Sequence, residues 1–271
     1  MIKNYFKIAW RNLWNSKTFS LINILGLAAG LASFIIILLY LNYELSYDKW
    51  DAGLKKVIRL SQIANGDISS QTPAPLASFL KQNYPGVEAA TAIQPAGDFE
   101  VLLSANNKKI YQKGLVTVDS SFFKVFPYKL VRGNNLTVLD PPNAIVLSEE
   151  VSKKLFGNTD PLGRELKIYN AVTCVVTGVM QLPQTPSHLD AQVLMRDPFG
   201  QQNFFWENFS YQTYIKLNQP FAAGKTEDAI NRIYYNQHLK KDSKTYEAYK
   251  KSGIQTTLFA DEVKPMGSKM E

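Results

Sequence analysis

The sequence contains few of the residues that bind transition metals. Its 271 residues include one cysteine, Cys174, and two histidines, His188 and His238. A single cysteine cannot form a disulfide within the chain, and these three residues cannot assemble a zinc site of the cysteine and histidine type. We therefore assign no metal site and no cofactor, although a site built from carboxylates alone stays open, and we expect core packing to supply the stability.

Charge is absent from one long segment near the N-terminus. No Asp, Glu, Lys or Arg occurs between Thr18 and Tyr43, and residues 20–41 are almost wholly apolar. A helix over 20–41 would be about 33 Å long, enough to cross the hydrocarbon core of a bilayer. A buried helix of a soluble protein would rarely stay apolar on every side for about six turns. A cleaved signal peptide has a shorter apolar run and a small-residue cleavage site, so we predict a transmembrane helix that remains in the mature protein.

Acidic residues are missing before this helix and present after it. The basic residues that precede it are Lys3, Lys7, Arg11 and Lys17. Glu44, Asp48 and Asp51 follow it, with only Lys49 nearby. Because basic residues favour the cytoplasmic side of a membrane, we expect a cytoplasmic N-terminus, with everything after residue 41 outside.

Residues 1–19 combine an aromatic and apolar face with a basic stripe. Trp10 and Trp14 recur at a four-residue spacing, as do Lys3, Lys7 and Arg11. This pattern predicts an amphipathic helix that lies on the cytoplasmic leaflet, where these side chains and Lys17 contact the lipid bilayer. A basic flank that only orients the span is the alternative that the sequence leaves open.

Two glycines inside the predicted span are spaced for close helix packing. Gly26 and Gly30 form a GxxxG pattern, and Ala28, Ala29 and Ala32 lie beside them. Small residues allow two membrane helices to approach closely, so we predict a helix-packing face at Gly26 and Gly30.

The region after the span reads as one large extracytoplasmic domain over residues 42–271. The 26 basic and 23 acidic residues beyond position 43 leave a charge of only +3, which excludes a nucleic-acid footprint. Short strands alternate with a few helices, so we predict an α+β, strand-rich fold. Predicted strands cover 57–64, 87–93, 99–104, 110–118, 144–147, 165–169, 172–180, 189–195, 211–217 and 254–259, and predicted helices cover 73–83, 119–126, 149–156, 225–239 and 243–251.

Local signals predict how several of these elements begin and end. Asn106 and Asn107 suit a hairpin turn, because Asn tolerates positive φ. Asp119 and Ser148 are expected to cap the N-termini of two short helices, and Gly157 is expected to end the second.

Two sequence patterns resemble catalytic or nucleotide-binding sites, and neither is complete. Gly224-Lys225-Thr226 lies where a phosphate loop would, but the position five residues before Gly224 is Gln219, not glycine, and Pro220 lacks an N–H group. We interpret it as the start of a helix. Ser187-His188-x-Asp190 contains hydrolase residue types, but adjacency in sequence says little about a catalytic triad. We interpret it as a turn with a surface histidine and assign no catalytic residue.

Five segments carry a resemblance to a known family. They are KNYFKIAWRNLWNSKTFSLINILGLAAGLA, YELSYDKW, DSSFFKVFPYKLVRGN, NAIVLSEEVSKKLFGNTDPLGRELKI and VTGVMQLPQTPSHLDAQVLM. In order and combination they resemble FtsX-like ABC-transporter permeases with a MacB-like periplasmic core domain, and the resemblance spans residues 2–196. It implies a first membrane helix, a periplasmic domain with an inserted strand-rich subdomain, and energy supplied by an ATPase on another chain.

The same resemblance implies the partners. They are a cytoplasmic ABC ATPase, a second copy of the permease or a paralogue, the lipid bilayer, and a periplasmic adaptor or outer-membrane protein. The implied function is export or extraction of a hydrophobic or lipidated substrate. Family members carry three further membrane helices, and no later segment here reaches 18 consecutive apolar residues. The sequence is therefore expected to be a fragment or a single-span member, and a membrane-anchored binding or sensing domain is the alternative function.

Overall fold

The computed structural model describes residues 2–64, 67–198, 205–219, 222–236 and 254–258. These residues form two compact units, Met1–Ser46 and Tyr47–Glu271. The predicted helix at 243–251, the end of the predicted helix at 225–239 and His238 lie outside the described residues.

The first unit is a pair of consecutive helices. Helix α1 spans Ile2–Asn15 and helix α2 spans Lys17–Leu45. The Ser16 hydroxyl between them donates a hydrogen bond to the Asn12 carbonyl over 2.9 Å. No residue of α2 is buried, and its 29 residues include the whole apolar run. In the described part of the chain α2 alone is long and apolar enough to cross a membrane.

The second unit is built on a mixed sheet. The strands are β1 Val57–Ala64, β2 Asp67–Ser69, β3 Val87–Pro95, β4 Val101–Ala105, β5 Lys108–Gln112, β6 Leu115–Val118, β7 Lys129–Arg132, β8 Ala144–Ser148, β9 Glu165–Ile168, β10 Val172–Gln181, β11 Val193–Arg196, β12 Gln212–Leu217 and β13 Ile254–Leu258. The helices are α3 Leu76–Asn83, α4 Phe122–Val125, α5 Glu149–Phe156 and α6 Ala223–Tyr234, with a 3-10 helix at Ala52–Lys56.

The strand order brings distant parts of the chain together. It runs β13-β1-β12-β3-β6-β11-β8-β10-β9-β4-β5, with β2 beside β1 and β7 beside β10. Most neighbours are antiparallel, whereas β8 pairs with β10 and β6 with β11 in parallel. Strand β12, near the C-terminal end of the described chain, therefore lies between β1 and β3. The α+β, strand-rich class predicted from the sequence is confirmed.

Three hydrophobic clusters fill this unit. The central one packs the α4 aromatics against β3, β6, β8 and β12, and includes Tyr128, Leu189 and Tyr214. A second cluster lies under α3 and α6, and a third lies under α5 and the strands around β4 and β9. Strand β8 is buried at all five positions, which is why its sequence is an unbroken apolar run rather than an alternating one.

Several local predictions are confirmed. Asn106 and Asn107 have φ values of 49° and 62° and connect β4 to β5. The Val151 N–H donates to the Ser148 hydroxyl over 3.3 Å, and Gly157 follows α5 with φ 63°. Both features are local, so their signals are present in a few consecutive residues.

Other local predictions are wrong. The strand predicted at 110–118 is two strands, because Gly114 adopts φ 75° between β5 and β6. Asp119 does not cap α4, whose N-cap residue is Ser121. Its carboxylate instead accepts hydrogen bonds from Thr91 and Ala92 of β3 and from the Ser121 N–H. Strands β2 and β7 and the 3-10 helix were not predicted, since each is short and depends on its neighbours.

Candidate functional site: a buried carboxylate and imidazole network

The chain enters the second unit through a buried carboxylate. Asp48 lies three residues after the end of α2 in the sequence, and its side chain is fully buried. Its backbone has φ 55°, a left-handed conformation that Asp tolerates better than most residues. The Asp48 N–H donates to the Pro186 carbonyl over 2.9 Å. Backbone and side chain of this residue are therefore both held by the connection between β10 and β11.

Three hydrogen bonds satisfy the Asp48 carboxylate. The Ser187 hydroxyl donates to Oδ1 over 2.5 Å, and the His188 N–H donates to the same oxygen over 3.2 Å. The Nδ1 atom of His188 lies 2.6 Å from Oδ2. A carboxylate removed from water needs such partners, because burying an unpaired charge is very costly.

The imidazole extends the network to the middle of the sheet. Nε2 of His188 lies 3.2 Å from the hydroxyl of Tyr214, which donates to Oε1 of Gln212 over 3.1 Å. Tyr214 is fully buried in β12 and pairs with Arg59 of β1 and Thr91 of β3. A chain of polar contacts thus runs from the segment after α2 to a central strand.

Tyr128 forms another wall of the same site. Its hydroxyl donates to the Leu189 carbonyl over 3.4 Å, and its ring lies 4.9 Å from that of Trp50. Burial, and secondarily the negative charge of Asp48, raises the pKa of Tyr128 well above its usual value, while the Ser187 hydroxyl opposes the shift. Tyr128 therefore stays a neutral donor at physiological pH.

The arrangement does not form a nucleophilic triad. In such a triad the serine hydroxyl bonds to one imidazole nitrogen while the carboxylate bonds to the other. Here the Ser187 hydroxyl bonds directly to the Asp48 carboxylate, and Nε2 of His188 faces Tyr214. The described contacts of the His188 ring nitrogens are with Asp48 and Tyr214, not with the Ser187 hydroxyl, so we interpret this geometry as a structural clasp. We call Asp48, Ser187, His188 and Tyr214 the clasp.

The structure corrects the interpretation of Ser187-His188-x-Asp190. His188 is not a surface residue, because its side chain is only 12% exposed. Asp190 is exposed and accepts from the Gln192 amide, so the acid of the network is Asp48 instead. Sequence reasoning did identify Ser187 and His188 but missed Asp48, Tyr128 and Tyr214. The signal in the sequence that points to Asp48 is its position three residues after the candidate span. The sequence analysis uses the acids there only to predict the direction in which that span crosses the membrane.

The other predicted residues are not part of the clasp. Gly224 and Thr226 fall in the first turns of α6, as the helix-start interpretation requires. A Cβ atom added to Gly26 or Gly30 would meet no atom within 4 Å, so both present open surface on α2. Trp10 and Trp14 are more than half exposed, and the Lys17 ammonium lies 5.2 Å from the Trp14 ring centre.

No metal site emerges among the residues that the structure describes, since no three His, Cys, Asp or Glu side chains converge there. Asp119 is a partly buried acid, and burial raises its pKa, although its hydrogen bonds with Ala92, Thr91 and Ser121 and the positive charge of Arg196 act in the opposite direction. These bonds tie β3 to the turn before α4.

Comparison with solved structures defines the class of protein. A permease-protein domain from Porphyromonas gingivalis superposes with a TM-score of 0.61 at 18% identity, covering 76% of this chain and 92% of that one. The periplasmic region of MacB from Actinobacillus actinomycetemcomitans superposes with a TM-score of 0.54 at 15% identity, covering 75% and 88%. The fold is that of the periplasmic domains of ABC-transporter permeases.

The sequence places the chain within that class. The family model of the MacB-like periplasmic core domain matches residues 20–233, so the chain belongs to this family. A macrolide export ATP-binding/permease protein MacB from Burkholderia thailandensis is 26% identical to this chain over an alignment of 262 residues. The alignment covers 89% of this chain. The chain spans 38% of that relative's length. The predicted family is confirmed.

Proposed function

We propose that this chain is the first-helix and periplasmic part of an FtsX/MacB-type permease subunit, driven by an ATPase on a separate polypeptide. In this proposal α2 crosses the inner membrane, the N-terminus is cytoplasmic and the second unit is periplasmic. Export or extraction of a hydrophobic or lipidated substrate follows from ATP-driven movement that the helix passes to the periplasmic domain.

The clasp is the single observation that carries the proposal. Movement of a membrane helix can only reach a folded domain if the residues after the helix are firmly held by that domain. Asp48 is held by four hydrogen bonds that involve Pro186, Ser187 and His188, and His188 in turn contacts Tyr214 in β12. These bonds hold the segment that follows α2 in the sequence and continue into the sheet of the second unit.

The membrane-facing residues support the same proposal. Lys3, Lys7 and Arg11 would contact anionic lipid on the cytoplasmic leaflet, together with Lys17 and the two tryptophans of α1. Gly26 and Gly30 would pack against a helix of a second permease copy or a paralogue. A periplasmic adaptor or outer-membrane partner would engage the second unit.

Co-purification tests the ATPase partner. Affinity purification of the full-length protein from chemically cross-linked native membranes should recover a cytoplasmic ABC ATPase in stoichiometric amount. Recovery of the protein without any ATPase would contradict the proposal. It would instead favour the alternative of a membrane-anchored periplasmic binding or sensing domain.

Cysteine labelling tests the orientation. In a Cys174→Ser background, Asp98→Cys should react with a membrane-impermeant maleimide in intact spheroplasts, because Asp98 is exposed in the second unit. Asn4→Cys, in α1, should react only after the membrane is permeabilised. The reverse pattern would place the N-terminus outside and overturn the proposed topology.

A further inference from the structure

A cavity of about 440 Å³ lies in the second unit beside the clasp. Its volume falls within the range of small-molecule sites, roughly 300 to 1,000 Å³. Three chain segments form its walls: Lys49, Trp50 and Asp51; Pro127, Tyr128 and Lys129; and Gln181, Leu182, Pro183, Gln184 and Thr185.

Two of the residues that line this cavity carry polar atoms without a partner. Nε1 of Trp50 and Oγ1 of Thr185 are both buried, and neither forms a hydrogen bond with any residue that the structure describes. The indole nitrogen can only donate, and the hydroxyl can donate or accept. Buried polar atoms are almost always satisfied in folded proteins, so two exceptions on one cavity wall indicate a guest that supplies acceptors.

The charges around the cavity also favour an acceptor-rich guest. The Lys49 and Lys129 side chains are exposed, and the structure gives neither an acidic partner among the residues it describes. Asp51 is the one acid in the lining, and its Oδ1 accepts from the Gly53 N–H over 2.6 Å, which caps the 3-10 helix. The lining therefore contains two lysines and two unpaired polar atoms, but only one carboxylate. That carboxylate already accepts a hydrogen bond from the Gly53 N–H.

The lining also contains apolar side chains, together with the polar side chains of Gln181 and Gln184. Trp50 and Leu182 are partly buried and pack against the central hydrophobic cluster, and Pro127 and Pro183 add two further apolar surfaces. A bare inorganic anion would leave these surfaces in contact with water. A guest with an anionic head and an adjoining hydrocarbon part would cover both kinds of wall.

We propose that this cavity binds the phosphate-bearing headgroup of an anionic membrane lipid, with the first carbon atoms of the lipid against Trp50 and Leu182. The chain itself indicates the source of the lipid, because Lys49 follows Leu45, the last residue of the candidate span, by only four positions. The lysines would pair with the phosphate as point charges, and the Trp50 N–H would donate to one of its oxygens. This site rests on the proposed membrane crossing by α2, but it does not depend on an ATPase partner, so the co-purification test and the lipid test can fail separately.

Native mass spectrometry of the full-length protein in a neutral detergent tests the proposal. The probes are dihexanoyl phosphatidylglycerol, dihexanoyl phosphatidylcholine and inorganic phosphate. We expect one phosphatidylglycerol to bind roughly tenfold more tightly than phosphatidylcholine, because only the former has a net charge for the lysines. Lys49→Gln with Lys129→Gln should abolish that preference, and Trp50→Phe, which keeps the ring but removes the donor, should weaken binding about threefold.

A second basic cavity provides the matched control. Lys109 and Lys167 flank Ser104 across β5, β4 and β9 and line a cavity of about 460 Å³ that has no aromatic wall. Lys109→Gln with Lys167→Gln removes the same charge and should leave binding unchanged. Equal losses in both double variants, or equal affinities for the two lipids, would overturn the proposal. Displacement of phosphatidylglycerol by an equal concentration of inorganic phosphate would show an anion site without lipid selectivity and would overturn it as well.

Discussion

His188 and Asp48 are 140 positions apart in the chain, yet Nδ1 of the imidazole lies 2.6 Å from Oδ2 of the carboxylate. The Asp48 side chain is fully buried and that of His188 is 12% exposed. This contact joins the segment after α2 to the connection between β10 and β11. Because the pair is out of water, the removal of either side chain leaves the other buried without its electrostatic partner.

The first prediction concerns this pair. Asp48→Asn keeps a residue that tolerates positive φ but removes the charge, and we expect it to lower the free energy of unfolding by about 3 kcal/mol. His188→Gln should cost a similar amount, and the double variant should cost less than the sum of the two. Denaturant titration of the full-length protein in detergent, followed by tryptophan fluorescence, measures these values.

An exposed pair of the same length serves as its control. The Lys216 ammonium lies 2.6 Å from the Glu88 carboxylate, and these side chains are 25% and 46% exposed. Glu88→Gln should change stability by less than about 1 kcal/mol, because solvent screens such a pair. Equal costs for Asp48→Asn and Glu88→Gln would show that the clasp contributes no more than a surface contact.

A second prediction separates a clasp from a hydrolase. The Ser187 hydroxyl donates to Asp48 and accepts from the Leu189 N–H, so Ser187→Ala should lower stability by about 1 to 3 kcal/mol. A fluorophosphonate probe should not label Ser187, since the described contacts of the His188 ring nitrogens are with Asp48 and Tyr214. Covalent labelling at Ser187 that is lost in the alanine variant would reinstate the hydrolase interpretation.

Gly114 is expected to be irreplaceable for a steric reason. It has φ 75°, and a Cβ atom added there would lie 2.6 Å from the Asp190 carbonyl oxygen. Gly114→Ala should therefore cost roughly 3 kcal/mol or more, combining left-handed strain with a backbone clash. Gly97 also has positive φ, at 65°, but a Cβ atom there meets nothing within 4 Å. Gly97→Ala should cost only about 1 kcal/mol, and comparable losses for the two would refute the clash.

Cys174 should resist alkylation in the folded protein. Its side chain is buried in the third hydrophobic cluster, and burial raises the pKa of its thiol to about 11. At pH 8 only about one thiol in a thousand would be ionised, and that fraction would also be shielded. Because the pKa is raised, the folded state favours the protonated thiol. This contribution to the free energy of unfolding is complete below the pKa of the thiol in the unfolded chain, and it is lost as the pH rises through 11. Iodoacetamide at pH 8 should modify Cys174 only after denaturation, and rapid labelling of the native chain would contradict this.

The final prediction tests the GxxxG pattern. Gly26→Ile with Gly30→Ile should weaken helix pairing in a membrane two-hybrid assay, because the bulk would hold two helices apart. Neither change meets an atom of the chain itself, so the effect would come from a partner. Ala28→Ile with Ala32→Ile, on the opposite side of the helix, is the control and should pair normally. An unchanged signal in the glycine variant would show that this face is not an interface.

The sequence predicted well the local features whose interacting residues lie within a few positions of each other. The Ser148 cap, the Gly157 helix end and the Asn106-Asn107 turn each depend on backbone requirements that a short segment expresses. Asp119 was predicted as a helix cap from the same kind of signal and instead bridges to β3. Its partners in β3, Thr91 and Ala92, are nearly thirty residues away, and no local pattern indicates them.

What the sequence determined by itself is the long apolar helix, the mixed strand-rich class and the family. Each depends on local composition or on the order of short motifs, which survive in a linear string. Only the tertiary structure decided that Asp48, Ser187, His188 and Tyr214 meet. Their contact requires β12 to lie between β1 and β3, and requires the connection from β10 to β11 to reach the start of the second unit. That arrangement is set by long-range strand pairing and burial, so hydropathy read along the chain could not reveal it.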